Sequence, residues 1–397
     1  MRWFTIPQAL GVALLVFGFE RDARLVSAEE FHWADFDPAS VGMSARRLAV
    51  IDEIVQEGIR DKKMPGAVVL IGFKGQMVYR QAFGHRQIEP TAEPMTLDTV
   101  FDLASLTKPI ATATSIMQLI EAGKIGLDDP VAKHLPAFGN HGKESITVRH
   151  LLTHQGGLIA DNSMKDFTDG REKSIENLLA LEPLSAPGER FIYSDVGFMV
   201  LGELVATVSG QSLDEYTHSH IFEPLGMHET MYHPTTIPAE RFASTEQRDG
   251  HWMRGEVHDP RAFALDGVAG HAGLFSTAND LARYAQAMLN GGQLGEAHIL
   301  HPETVQLMTS PQPIPGGGIR GLGWDKQSGY SSNRGDLMSP TACGHGGFTG
   351  TALWFDPQQK LFVIFLSNRV HPHGDGSVNP LIGRISTVAA AAVREFE

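Results

Sequence analysis

Phe101-Asp102-Leu103-Ala104-Ser105-Leu106-Thr107-Lys108-Pro109 sets a serine three positions ahead of a lysine, at the entry to an amphipathic stretch from Ile110 to Ala122. Three residues is almost one helical turn, so on a helix Lys108 shares a face with Ser105 and its ammonium can approach the hydroxyl. The unpaired N–H groups and the dipole of a helix N-terminus favour a developing oxyanion at the same place. Pro109 is tolerated only near a first turn, which puts Ser105 at the helix start. A lysine so placed lowers the serine pKa or takes its proton. By itself the spacing is common and also describes an N-cap serine beside a solvated lysine, so its weight comes from the segments that follow.

The second segment is Pro187-Gly188-Glu189-Arg190-Phe191-Ile192-Tyr193-Ser194-Asp195, a turn leading to a tyrosine just before an apolar helical pattern from Val196 to Val208. A loop tyrosine there can point its phenol into a cleft, where proximity to Lys108 lowers its pKa and makes it a candidate general base for Ser105. The third is Cys343-Gly344-His345-Gly346-Gly347-Phe348-Thr349-Gly350, opening a strand. Its glycines permit close backbone approach. An edge strand can pair with a peptide-like substrate while the Phe348 N–H joins that of Ser105 in an oxyanion hole.

In order and context these segments resemble the serine β-lactamase and penicillin-binding protein clan, in its branch of class C β-lactamases, D,D-peptidases and esterases. That branch carries S-x-x-K, then Tyr-x-Asn, then His or Lys, any residue and Gly. Here Ser105 and Lys108, Tyr193, and His345 with Gly347 match in turn, with Gly346 between the last two. The resemblance runs over about residues 40 to 390 and takes in Leu127-Asp128-Asp129-Pro130 and Ile146 to His154 as scaffold. It implies an acyl-enzyme serine hydrolase without a cofactor, with Ser105, Lys108 and Tyr193 catalytic. Phe348, His345, Gly346, Gly347, Asp195 and His271 are the expected oxyanion and substrate-binding residues.

Two positions depart from the pattern. Asp195 stands in place of Asn; a carboxylate accepts from Lys108 and holds it cationic, but cannot donate to a substrate carbonyl. His345 replaces the lysine of many β-lactamases, exchanging a fixed charge for one that titrates near neutral pH. Both point away from efficient β-lactam hydrolysis and towards a peptidoglycan stem-peptide hydrolase, of D-alanyl-D-alanine carboxypeptidase or muropeptide-amidase type. The alternatives are a short-chain carboxylesterase, a weak β-lactamase, and a penicillin-binding sensor or scaffold without turnover. The stretches Gly255 to Asp259 and Gly267 to Thr277 resemble the peptidase and amidase members. There His258 and Asp259 are expected to fix loops, with contact to substrate, as at His271, the alternative and metal binding the weakest one. No metal is assigned, because the pairs His218 with His220 and His371 with His373 lack a third ligand at metal-site spacing.

Outward from these motifs the periodicity predicts an α/β (α+β) fold. Ser44 to Arg60 reads as an amphipathic helix capped by Ser44. Ala67 to Phe73 and Met77 to Phe83 read as a hairpin turning at Lys74-Gly75. Thr349 to Phe355 and Leu361 to Leu366 read as strands, and Pro380 to Glu397 as a closing helix. The expectation is one antiparallel sheet built from about residues 40–104 and 320–397, flanked by the terminal helices, with a mainly helical region over about 105–319. Residues 29–397 would form one catalytic domain behind a signal peptide, residues 1–28, whose apolar run Leu10 to Phe19 precedes a Val26-Ser27-Ala28 cleavage site. The protein is therefore expected to be periplasmic or secreted, with no membrane span after cleavage. With 32 Lys and Arg against 46 Asp and Glu, the net charge of −14 opposes nucleic-acid binding and leaves a small-molecule or peptidoglycan-peptide substrate as the partner. Cys343 is the sole cysteine, so no intramolecular disulfide forms and a small buried thiol is expected.

Overall fold

The computed structural model describes residues 35–374 and 376–393, together with Met1. The expected signal peptide and its expected cleavage site fall, apart from Met1, outside the described residues. The fold is organised by β1 (Gly66–Phe73), in which every residue is buried. Side chains alternate across a strand, so a strand buried throughout needs cover on both faces. Val68 and Leu70 enter one apolar core, and Ala67, Val69 and Ile71 enter another. The hairpin turn at Lys74-Gly75 has both residues at positive φ, 50° and 77°, and returns into β2 (Gln76–Gln87), longer than its apolar pattern suggested. β3 (Glu93–Pro94) ends that side of the sheet.

The nucleophile segment begins on β4 (Phe101–Asp102), which pairs in a small ladder with β5 (Phe275–Ser276). The main sheet then resumes with β6 (Gln312–Pro313), β7 (Ile319–Arg320), β8 (Asp325–Gln327), β9 (Cys343–Gly347), β10 (Thr351–Asp356) and β11 (Leu361–Ser367). Its nine strands run in the order β6-β7-β8-β9-β10-β11-β1-β2-β3, all antiparallel. The two ends of the chain meet where β1 lies against β11. β9, expected at the edge, is interior, because β6 to β8 extend the sheet past it. β8 pairs with β9 only at Asp325 and Gly344, so residues 345–347 have no ladder partner on that side. The stretch therefore keeps the open hydrogen-bonding side that an edge strand would have offered.

The helices that build the two layers include α1 (Val50–Arg60), α2 (Thr114–Glu121), α3 (Asp195–Ser209), α4 (Ala278–Leu289) and α5 (Asn379–Ala392), with other helical segments and turns between them. Ile51, Ile54 and Val55 of α1 and Leu381, Ile382 and Ile385 of α5 close one core over the sheet, while α2, α3 and α4 fill the other. The chain enters α2 less regularly than a single capped helix would. Ala104–Leu106 is a 3₁₀ turn, Lys108–Ala113 a π-helical segment, and the α-helix starts at Thr114. Pro109 has no N–H to give to an α-helical ladder, and Thr114 and Ser115 hydroxyls donate to the carbonyls of Pro109 and Ala111, at 2.9 and 2.8 Å. Among the described residues no single helix is long and apolar enough to cross a membrane; the bent pair Asp195–Ser209 and Leu213–Phe222 is apolar, and α3 spends that character on the core, where Val196 to Gly202 are buried.

Candidate active site

Ser105 and Lys108 meet as the spacing required. Lys108 is fully buried, and its Nζ donates to Ser105 Oγ at 2.8 Å and to the His271 carbonyl at 3.1 Å. It also forms an ion pair with Asp195 Oδ1 at 2.7 Å. Burial opposes the ammonium, yet Asp195 and the Tyr193 phenol outweigh it and hold the lysine above its ordinary pKa. Held as an ammonium, Lys108 has three N–H donors and no lone pair, so it acts here as a donor.

Tyr193 reaches the cluster because the next residue begins a helix. Ser194 caps α3, its Oγ accepting the Gly197 N–H at 3.0 Å and donating to the Ile159 carbonyl at 2.7 Å. His154 Nδ1 accepts the Ser194 N–H at 3.0 Å, and the His154 ring lies 4.4 Å from that of Tyr193. Lys108 Nζ lies 5.1 Å from the centroid of the Tyr193 ring, and Ser105 and Lys108 both favour its phenolate. The expected fall in its pKa does not occur: burial raises it, and the lowering influence of Lys108 is offset in part by Asp195. Tyr193 is thus a protonated phenol at neutral pH. Asp195, on the first turn of α3, stays ionised because Lys108 and His271 overcome the burial that would otherwise raise it.

β9 brings the third motif against the nucleophile segment. A Cβ on Gly347 would lie 2.3 Å from the Leu103 carbonyl oxygen and 2.2 Å from Thr351 Oγ1, so glycine alone lets the two backbones approach. Phe348 projects beyond them, 60% exposed. His345 is buried, and its Nδ1 lies 2.8 Å from the Gly346 carbonyl. The expected titration near neutrality is corrected: burial first, then Arg320 and Lys108, push its pKa well below the ordinary value and keep the ring neutral.

His271, His258 and Asp259 are tied within their loops. Asp259 Oδ1 caps the turn Pro260–Ala264, accepting from the Arg261 and Ala262 N–H groups at 2.9 and 2.8 Å, and meets His271 Nε2 at 3.0 Å. His258 Nε2 meets Glu246 Oε2 at 2.5 Å. Ligand atoms of Asp195, Asp259 and His271 fall within 4.8 Å of one another. The Lys108 ammonium already answers that negative charge through Asp195.

Two cavities meet at Ser105, Tyr193, Tyr330 and Phe348. The larger, about 930 Å³, extends past Asp161, Asp195, Asp259 and His271. The smaller, about 260 Å³, is lined by Arg320, His345, Gly346 and Arg369 among others. Sequence reading missed Arg320 and Tyr330. Tyr330 stacks on Tyr193 with centroids 4.9 Å apart. Arg320 is fully buried, lies 6.0 Å from the Tyr193 ring, and approaches Asp325 no closer than 3.5 Å. None of its guanidinium nitrogens has a hydrogen-bond partner.

The sheet between two helical layers, with a serine, a buried lysine and a tyrosine gathered at its margin, defines a serine hydrolase of the β-lactamase fold. The chain belongs to the beta-lactamase family, whose profile matches residues 51–385. It is 34% identical over 382 residues to a protein of Escherichia coli (strain K12) named "Putative D-alanyl-D-alanine carboxypeptidase", covering 86% of this chain and 87% of the relative. It is 33% identical over 375 residues to the N-acetylmuramyl-L-alanine amidase of Bacillus subtilis (strain 168), covering 85% and 84%. Among solved structures, EstCE1, a hydrolase with promiscuous acyltransferase activity, is similar with a TM-score of 0.69 and 25% identity over 88% of this chain and 98% of that one. A class C beta-lactamase shares the fold with a TM-score of 0.71 and 20% identity over 92% and 99%.

Proposed function

We propose that the protein is an exported D,D-carboxypeptidase-type hydrolase that cleaves the terminal D-alanine from a peptidoglycan stem peptide through an acyl-enzyme. The observation that carries this reading is Arg320, a buried guanidinium without hydrogen-bond partners in the small cavity beside Ser105. Its one ion pair, to Asp325 at 3.5 Å, satisfies none of its buried N–H donors, and a substrate carboxylate would supply them with a bidentate contact. The small cavity suits one amino acid bearing a free carboxylate, and the large one suits the rest of the peptide. The relatives named for peptidoglycan chemistry support the same substrate class, and the leader-like N-terminal sequence supports export.

In this scheme Ser105 Oγ attacks the penultimate carbonyl carbon while the Ser105 and Phe348 N–H groups hold the oxyanion. Lys108 stabilises the developing alkoxide charge. The protonated Tyr193 works as a relay: its oxygen takes the Ser105 proton while its own proton passes to the departing nitrogen, so the phenol ends neutral. The O–C bond forms, the C–N bond breaks, and D-alanine leaves as the amine. Water then attacks the ester, and the reverse relay returns a proton to Ser105.

The test compares D-alanine release from a stem pentapeptide, muramyl-amide cleavage in the same muropeptide, and hydrolysis of nitrophenyl butyrate, with Ser105→Ala as control. The expected result is D-alanine release lost in the control by roughly 10⁴-fold or more. Muramyl-amide cleavage alone would replace this reading with an amidase, and ester turnover alone with a carboxylesterase.

A further inference from the structure

The chain reaches Ser105 through a residue in an unfavourable conformation. Ala104 has a φ of 46°, in the left-handed region where a Cβ is strained. The restraint that holds it is the buried Asp102 side chain. One carboxylate oxygen accepts the Ala104 N–H at 2.8 Å, and the other accepts the His258 N–H at 2.7 Å. The His258 ring in turn stacks on Phe348, with centroids 5.6 Å apart and planes inclined by 25°. The backbone of the same segment is tied to the strand-to-strand turn that follows Phe348. Thr349 Oγ1 donates to the Asp102 carbonyl at 2.7 Å, and Thr351 Oγ1 to the Leu103 carbonyl at 3.0 Å.

The geometry points to Asp102 as the positioning residue of the oxyanion hole, its carboxylate fixing the Ser105 N–H through Ala104 and the Phe348 N–H through His258. This rests on the proposed roles of Ser105 and Phe348, and it goes beyond them by assigning the alignment of both donors to one carboxylate. Two N–H groups converging from different loops need an acceptor with two oxygens. Asn, of the same shape, offers only one, and turns an NH₂ group against the other N–H.

Asp102→Asn is therefore the decisive variant, read with a fluorophosphonate, whose tetrahedral phosphoryl oxygen occupies the same hole whatever acyl substrate the enzyme prefers. The second-order rate of Ser105 labelling is expected to fall roughly 10²–10³-fold, with intact mass still reaching one label per chain and the KM for nitrophenyl butyrate within about 3-fold of wild type. A labelling rate equal to wild type would overturn the assignment. So would a reduced labelled fraction at unchanged rate, the signature of a merely structural residue. Should Asp102→Asn fail to fold, Asp102→Ser leaves a single short acceptor in place of two oxygens; labelling at least roughly tenfold slower at full stoichiometry supports the assignment, and an unchanged rate overturns it. Wild-type protein that resists the reagent would instead refute Ser105 as nucleophile, so the two failures are separable.

Discussion

The two cavities that meet at Ser105 handle charge in opposite ways. In the larger, each carboxylate has an internal partner: Asp195 faces Lys108 at 2.7 Å, Asp259 faces His271 at 3.0 Å, Glu246 faces His258 at 2.5 Å, and Asp161 lies 3.5 Å from Arg261. In the smaller, Arg320 has only a 3.5 Å approach to Asp325, whose two oxygens already accept from the hydroxyls of Ser328 and Ser331. A region whose charges are matched internally suits a polar chain of no particular charge, whereas a fully buried guanidinium with one 3.5 Å ion pair and no hydrogen bond leaves its donors to an anion. The difference gives the cleft a direction, and with it a preferred orientation for the scissile bond.

The largest effect that would break this contrast comes from Arg320→Met. With an acyl-D-alanyl-D-lactate ester as substrate, kcat/KM should fall by about 10²-fold or more, while the corresponding methyl ester changes by less than about 3-fold. Equal losses on both esters would remove the carboxylate subsite. The same variant should unfold at a lower temperature, since removing one partner of a buried ion pair leaves Asp325 buried without its cation, at a cost of up to ~3–5 kcal/mol.

A smaller effect is expected on the other side of the nucleophile. In Asp195→Asn, burial is no longer opposed by the carboxylate, so the Lys108 pKa drops from its raised wild-type position towards neutrality. A donor must stay protonated to act. The variant should therefore lose roughly tenfold in kcat/KM between about pH 6 and 9, a range over which the wild-type lysine keeps its charge. A pH profile parallel to wild type would show that Lys108 does not depend on this partner. The smallest effect is an expected constancy. His345 is held neutral by burial, Arg320 and Lys108, so KM for carboxylate substrates should be flat between about pH 6 and 8. A rise in KM as pH passes upward through about 6.5 would return the anion-binding role to His345.

Much of this was legible in sequence because it is local. The hairpin, α3 and the closing helix follow from periods of two and about 3.6, and Ser105 with Lys108 from one turn of spacing. What was illegible depends on partners distant in the chain. Arg320 sits in a two-residue strand with no periodic pattern, and only the sheet places it beside Ser105. The protonation of Tyr193 and His345 came out opposite to expectation because proximity to a charge can be argued from a motif, whereas burial belongs to the assembled fold. Asp102 stood inside the decisive segment, yet its partner His258 is far along the chain, so nothing marked it as more than a polar strand residue. The irregular start of α2 was foreshadowed by Pro109, whose missing N–H the idealised helix did not accommodate.

The pairing of β1 with β11 sets Ala67 opposite Ser367, about three quarters of the chain apart, and this bears on the order of events during synthesis. Loop-closure entropy makes such a contact late and slow. Until β11 emerges, β1 has an open side, the layer under β4 is incomplete, and Ser105 lacks its surroundings. The molecule is thus dormant for almost all of its translation, and its hydrolytic power arrives with the last strand.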